Sequence, residues 1–212
     1  MNGELNWDKL CKVGGVAALV IVLLIPIQIL FFVVYPPPET TLGFFELFHK
    51  NWMVGLLSLD VLYYINNGLL VLVYLGLFAV LRKIDASNML ISLAIGFIGI
   101  AAYYASTIGF EMLSMSKLYF STEAVELKQQ LLTTGNGLIY KYKGTAFDVY
   151  YVFNAIALLL ISKTMYKSRY FGRATATWGM IAGILMVIPS TAGTIGLTFS
   201  LIHWFPGLFF RY

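Results

Sequence analysis

Residues 13 to 35 form a 23-residue apolar run in which Gln28 is the one strongly polar side chain. At 1.5 Å per residue such a run covers ~30 Å or more, the thickness of a bilayer's hydrocarbon core. It is too long for the apolar part of a cleaved signal peptide, and no A-x-A cleavage pattern follows it. The run reads as a retained membrane span. Similar runs recur along the chain, and with 59% hydrophobic and 11% charged residues there is too little polar surface to enclose them in water. The expected fold class is all-α: a polytopic transmembrane helical bundle in one integral membrane domain, residues 1–212.

The spans fall at 13 to 35, 60 to 81, 89 to 110 and 145 to 162, followed by a 37-residue apolar stretch from Ala174 to Phe210. A single helix over that last stretch would run ~55 Å, far more than a bilayer needs. Pro189-Ser190-Thr191-Ala192-Gly193 offers a break, so the stretch is expected to fold back and give six spans, or five if it does not. Lys9, Lys12, Arg82, Lys83, Lys163, Lys167, Arg169, Arg173 and Arg211 then fall on one side of the membrane. Lys50, Lys117, Lys128, Lys141 and Lys143 fall on the other. The excess places both termini in the cytoplasm of a cell-membrane protein.

On the outer side, Pro36-Pro37-Pro38 forbids helix at the start of the first connection. Its later part, Phe44 to Lys50, has the composition of a segment lying along the membrane surface. In the second connection Ser121 to Thr134 reads as an external amphipathic helix between spans 3 and 4. Leu127 and Leu131 share a face, and Gly135-Asn136-Gly137 ends the helix. Ala101, Ala105 and Gly109, and separately Gly179 and Gly183, recur at four-residue spacing and are expected to let helices approach closely. Cys11 is the single cysteine, so no intramolecular disulfide exists.

Two stretches echo each other. Asp60-Val61-Leu62-Tyr63-Tyr64-Ile65-Asn66 and Asp148-Val149-Tyr150-Tyr151-Val152-Phe153-Asn154 share D-V-x-Y-x-x-N, and each precedes an apolar run ending in basic residues. A duplicated two-helix unit would produce this, and so would chance in a membrane-biased composition. Positions i, i+3 and i+6 share a helix face, so Asp60, Tyr63 and Asn66 or Asn67 form one polar stripe and Asp148, Tyr151 and Asn154 another. Tyr104, Thr107, Glu111 and Ser114 are spaced for a third. A carboxylate facing hydrocarbon costs about 2.5–3.5 kcal/mol on insertion scales, so each is expected to face the bundle interior.

Structural readings compete at each position. Asp60 and Asp148 lie at helix N-terminal ends, where a carboxylate caps free N–H groups. Glu111 sits at the expected C-terminal end of a span, where the helix dipole opposes a negative charge, which makes it the stronger candidate for a function. His49 and His203 fall on the outer half and are within range of the same cluster. His203, beside Trp204 and Pro206, reads more readily as an interfacial hydrogen-bonder than as a ligand. The chain has no HExxH, GxxxxGK[ST], GxSxG or CxxC, and no mid-span lysine for a retinal. No cofactor and no nucleic-acid partner is expected, and a metal site would have to come from Glu111, Asp148 and His203.

GTAFDVYYVFNAIALLLIS, RATATWGMIAGILMVIPSTAGTIGL and LDVLYYINNGLLVLVYL together resemble an uncharacterised, domain-of-unknown-function family of small prokaryotic integral membrane proteins. The resemblance covers most of the chain after residue 50 and implies six spans. It carries no assigned activity or catalytic residues. The end of the chain, HWFPGLFFRY, departs from the longer final helix and basic tail that the resemblance leads one to expect.

The leading expectation is an outer polar pocket lined by Asp60, Tyr63, Asn66, Tyr104, Glu111, Asp148, Tyr151 and Asn154. Such a pocket would bind or pass a small polar or cationic ligand, or protons. An intramembrane hydrolase acting on a lipid-like substrate is the alternative, and a structural or sensing subunit a third. The sequence names neither a ligand nor an oligomeric state.

Overall fold

The computed structural model describes residues 6–59, 61–142 and 144–194, the stretch 189–194 by backbone alone. Every regular element among the described residues is helical: α1 (Trp7–Val34), α2 (Thr41–Lys50), α3 (Trp52–Ser58), α4 (Val61–Ser106), α5 (Gly109–Ser121), α6 (Val125–Tyr142), α7 (Thr145–Tyr166) and α8 (Arg173–Thr194). Three helical stretches among the described residues are long and apolar enough to cross a membrane: Trp7–Val34, Val61–Ser121 and Val125–Tyr166. Their outward surfaces are hydrocarbon, as at Leu19, Leu23 and Val33 of α1, Leu90 and Ile98 of α4 and Ile156 of α7, all exposed. A helix that is apolar on its exposed side belongs in lipid.

The stretch Val61–Ser121 has 61 residues, which as one straight helix would measure ~90 Å, about three bilayer cores. It is interrupted twice. Asp85 leaves helical geometry (φ −154°, ψ 84°), and its carboxylate accepts the Asn88 backbone N–H at 3.0 Å, so it caps the arm that follows. The second interruption lies at Thr107–Ile108, after which α5 begins at Gly109. The expected third span, 89 to 110, thus ends at Ser106.

Compactness divides the chain into two units, one comprising Met1–Ala79 and Tyr104–Ala146, the other Val80–Tyr103 and Phe147–Tyr212. In the first, α1 lies against α4 where Gly14 meets the backbone of Gly76 and Leu72. The rest of this unit's packing gathers around the short helix α2. Helix α2 packs on α3, α5 and α6, burying Phe44, Phe45 and Phe48 with Leu56, Leu59, Ile108, Met112 and Leu131. The Phe44–Lys50 segment is therefore part of a helix whose phenyl rings face protein. Ser116 Oγ donates to the Phe45 carbonyl (2.7 Å), and Thr41 Oγ1 donates to Asn136 Oδ1 (2.5 Å).

That last bond belongs to a correction of the sequence reading. The amphipathic helix does not stop at Gly135-Asn136-Gly137 but runs on to Tyr142. A side chain at Gly135 would collide with Thr41, so this glycine serves close helix approach rather than termination. The expected apolar face is present: Leu131 is buried and Leu127 packs against the same core.

In the second unit, Gly179 and Gly183 of α8 seat against Ser162, Leu159 and the Ala155 carbonyl of α7, the close approach their spacing predicts. The companion stripe does not hold, since Ala101 and Ala105 are exposed and only Gly109 is buried. Helix α8 also continues through Pro189 to Thr194, as α1 continues through Pro26, so the expected break at 189–193 is absent. An apolar medium offers the backbone no competing partner, and a proline there costs one bond without ending the helix. The second half of the expected final hairpin lies outside the described residues.

Candidate functional site

The candidate residues distribute over both units. Tyr63, Asn66, Tyr104 and Glu111 belong to the first, and Asp148, Tyr151 and Asn154 to the second. Asp60 and His203 lie outside the described residues.

In the first unit, Tyr104 Oη donates to the Tyr64 carbonyl at 2.6 Å, and the two rings meet edge to face with centroids 6.5 Å apart. Asn66 and its neighbour Asn67 are both buried in α4, Asn67 fully. Asn67 Nδ2 donates to the Tyr63 carbonyl one turn back (3.1 Å). Neither amide oxygen accepts a hydrogen bond among the described residues. The helix break at Thr107–Ile108 gives Glu111 a different setting from the expected one. It stands in the first turn of α5 and is exposed, so the dipole favours its charge. The reason for preferring it as a strained, functional carboxylate is thereby removed. His49 is likewise exposed and stacks on Phe120 (centroids 4.1 Å).

In the second unit, Asp148 is half-buried in the first turn of α7, where a carboxylate suits the positive helix end. Tyr151 packs on Phe147 (4.6 Å) and on Tyr150 (5.1 Å). Asn154 is 2% exposed and donates to the Tyr150 carbonyl (2.9 Å). A side chain at Gly99 would collide with its amide. The stripe thus runs from a half-exposed acid inward to a buried amide.

The motif echo has a structural counterpart, shifted by one residue. Asn67 and Asn154, both buried, each return an amide N–H to the carbonyl of a tyrosine four residues earlier. The pattern D-V-x-Y-x-x-N aligns Asn154 with Asn66 instead, because spacing alone cannot choose between adjacent asparagines.

One polar node escaped sequence reading. Asn88 Nδ2 donates to the Leu160 carbonyl (2.8 Å) and to Thr164 Oγ1 (2.6 Å), while Ser92 Oγ donates to the Asn88 carbonyl (2.7 Å). With Asp85 it clamps the start of the second α4 arm to α7. The available signal was D-x-x-N just after Arg82-Lys83, an N-cap spacing inside a basic turn. Asn88→Leu is expected to cost about 1–2 kcal/mol, since it strips two acceptors of their donor. Thermal unfolding of the purified variant measures this.

Among the described residues no group of three His, Cys, Asp or Glu side chains is placed to hold a metal ion. The set Glu111, Asp148 and His203 includes a residue outside them.

Long apolar helices, lipid-facing side chains and polar side chains turned inward define a multi-pass membrane protein. The chain belongs to the family described as Domain of unknown function (DUF4386), which it matches over residues 13–210. No curated protein and no solved structure matches it.

Proposed function

We propose that the protein binds a small polar or cationic ligand, or protons, on the polar stripes of its transmembrane helices and passes it across the membrane. The observation that carries this reading is the repeated arrangement of Asn67 with Tyr63 and Asn154 with Tyr150, each on an apolar helix. Buried amides are costly in lipid, and repetition of the same device argues for a retained role. Tyr63, Asn66 and Tyr104 serve one stripe; Asp148, Tyr151 and Asn154 serve the other, with Asp148 as the charge partner. Six crossings with both termini cytoplasmic suit the nine-to-five distribution of Lys and Arg.

Proteoliposomes carrying a pH-sensitive dye, with radiolabelled methylammonium as probe cation, test it. Asp148→Asn is expected to lower proton-linked methylammonium uptake at least tenfold with an unchanged unfolding midpoint. Uptake at the wild-type rate in that variant would refute the reading. The seating of Asn154 on Gly99 favours a second reading, in which the stripes only hold helices together. In that case Asn154→Leu lowers the midpoint while uptake per folded molecule stays the same.

A further inference from the structure

Within the first unit, two helix interruptions meet. Helix α3 ends at Ser58, and Leu59 (φ −106°, ψ 41°) turns the chain before α4 starts at Val61. The other interruption is Thr107–Ile108, where Thr107 Oγ1 donates back to the Tyr104 carbonyl (2.8 Å). They are in contact: a Cβ at Gly109 would stand 3.2 Å from Tyr64 Oη, 3.4 Å from Leu56 Cδ2 and 3.8 Å from Leu59 Cβ. Irregular backbone in a membrane protein is tolerated where it is buried in protein or lines a cavity, and interrupted helices placed side by side are a recurrent setting for ion sites.

From that crossing inward, the chain carries oxygen atoms without donors. Ser58 Oγ, Asn66 Oδ1 and Asn67 Oδ1 are all buried, and none has a hydrogen-bond partner among the described residues. Ser58 is 5% exposed, Asn66 8% and Asn67 0%. The direction of the Asn67 amide is fixed by its bond to the Tyr63 carbonyl. Turning it over would set two oxygens against each other, so its Oδ1 is the atom offered away from the backbone. An unmatched buried acceptor costs about 1–3 kcal/mol, and these three fall within ten residues of one another in sequence.

We infer that the buried oxygens of Ser58, Asn66 and Asn67, close to where the two interrupted helices meet, form a binding track for a small monovalent cation. Neutral carbonyl and hydroxyl oxygens replace the hydration shell of such an ion, whereas an anion would meet lone pairs. The C-terminal end of α3 adds the negative end of its dipole, and the opposite end of α5 is already answered by Glu111 in its first turn. The inference rests on the reading of this protein as a binder of small polar or cationic ligands, and it names the ligand class.

The test is the thermal unfolding midpoint of the purified full-length protein at constant ionic strength. Sodium, potassium and ammonium chlorides are each compared with N-methyl-D-glucamine chloride. At saturation, at least one small cation is expected to raise the midpoint by roughly 5 °C, and the arms tell the metal ions from ammonium. Asn67→Leu keeps the volume and removes the acceptor, so the shift should fall below about 1 °C. Ser58→Ala, a smaller change, should at least halve it. A wild-type midpoint indifferent to all three cations, or a full shift retained in both variants, would overturn the inference. Loss of methylammonium uptake in Asp148→Asn beside a cation-indifferent wild type defeats this inference alone. A cation-dependent midpoint beside wild-type uptake in Asp148→Asn defeats only the transport reading.

Discussion

Gly14→Val is expected to lower the thermal midpoint of the purified protein by roughly 6–12 °C, whereas Gly15→Val moves it by less than about 2 °C. The two glycines are adjacent in α1, and sequence gives no reason to separate them. Gly14 is buried, and a Cβ there would stand 2.8 Å from Gly76 Cα and 2.9 Å from the Leu72 carbonyl oxygen. Both obstacles are backbone, which cannot swing aside as a side chain would, so α1 must lift off α4. Overpacking of this kind costs ~3 kcal/mol. At Gly15 nothing lies within 4 Å, so a side chain there enters lipid. Equal midpoints for the two variants would show that α1 does not pack on α4 through Gly14. The effect is magnified because α1 buries only Gly14 and Ala17, leaving few other contacts to hold it.

Phe45→Ala is expected to cost about 3–5 kcal/mol and to open the α2, α3, α5 and α6 assembly to protease. The side chain is fully buried and lies 5.5 Å from the Tyr119 ring. Removing it empties the centre of a core shared by four helices. Its own carbonyl also holds Ser116, and that bond loses its register when α2 shifts. Leu42→Ala on the same helix, at an exposed position, serves as control and should stay within ~0.5 kcal/mol. Limited proteolysis with a site-specific protease, followed by mass mapping, reads the opening directly. Indistinguishable cleavage of the two variants would show that the assembly is not held by this core.

These two variants mark where sequence reading succeeded and where it failed. The apolar runs and the amphipathic face of Leu127 and Leu131 were legible, because hydrocarbon length and helical periodicity are written residue by residue. The packing of Gly179 and Gly183 on α7 was legible for the same reason. The setting of Glu111 was not. Its assignment to a span's C-terminal end assumed an unbroken helix through residue 110, and the break at Thr107–Ile108 carries no proline and no glycine before Gly109. The role of Gly135 was misread because a glycine that ends a helix and one that admits a neighbour look alike in sequence. Phe44, Phe45 and Phe48 suited lipid or protein equally, and only the arrival of α5 and α6 chose.

Of the candidate site, the sequence supplied the residue types and their spacing: Tyr63 with Asn66, and Asp148 with Tyr151 and Asn154, at helical intervals. It could not rank Asn66 against Asn67, nor see that Asn88 clamps Leu160 and Thr164 from more than seventy residues away. Membership of a membrane and an all-helical build followed from the sequence alone, since apolar length and the obligation to pair backbone groups in lipid leave no other choice. Which side chains are turned inward, which glycines touch backbone and which oxygens lack donors were decided only by the tertiary structure. Those properties depend on what a neighbouring helix brings to the same place, and no local pattern encodes the neighbour.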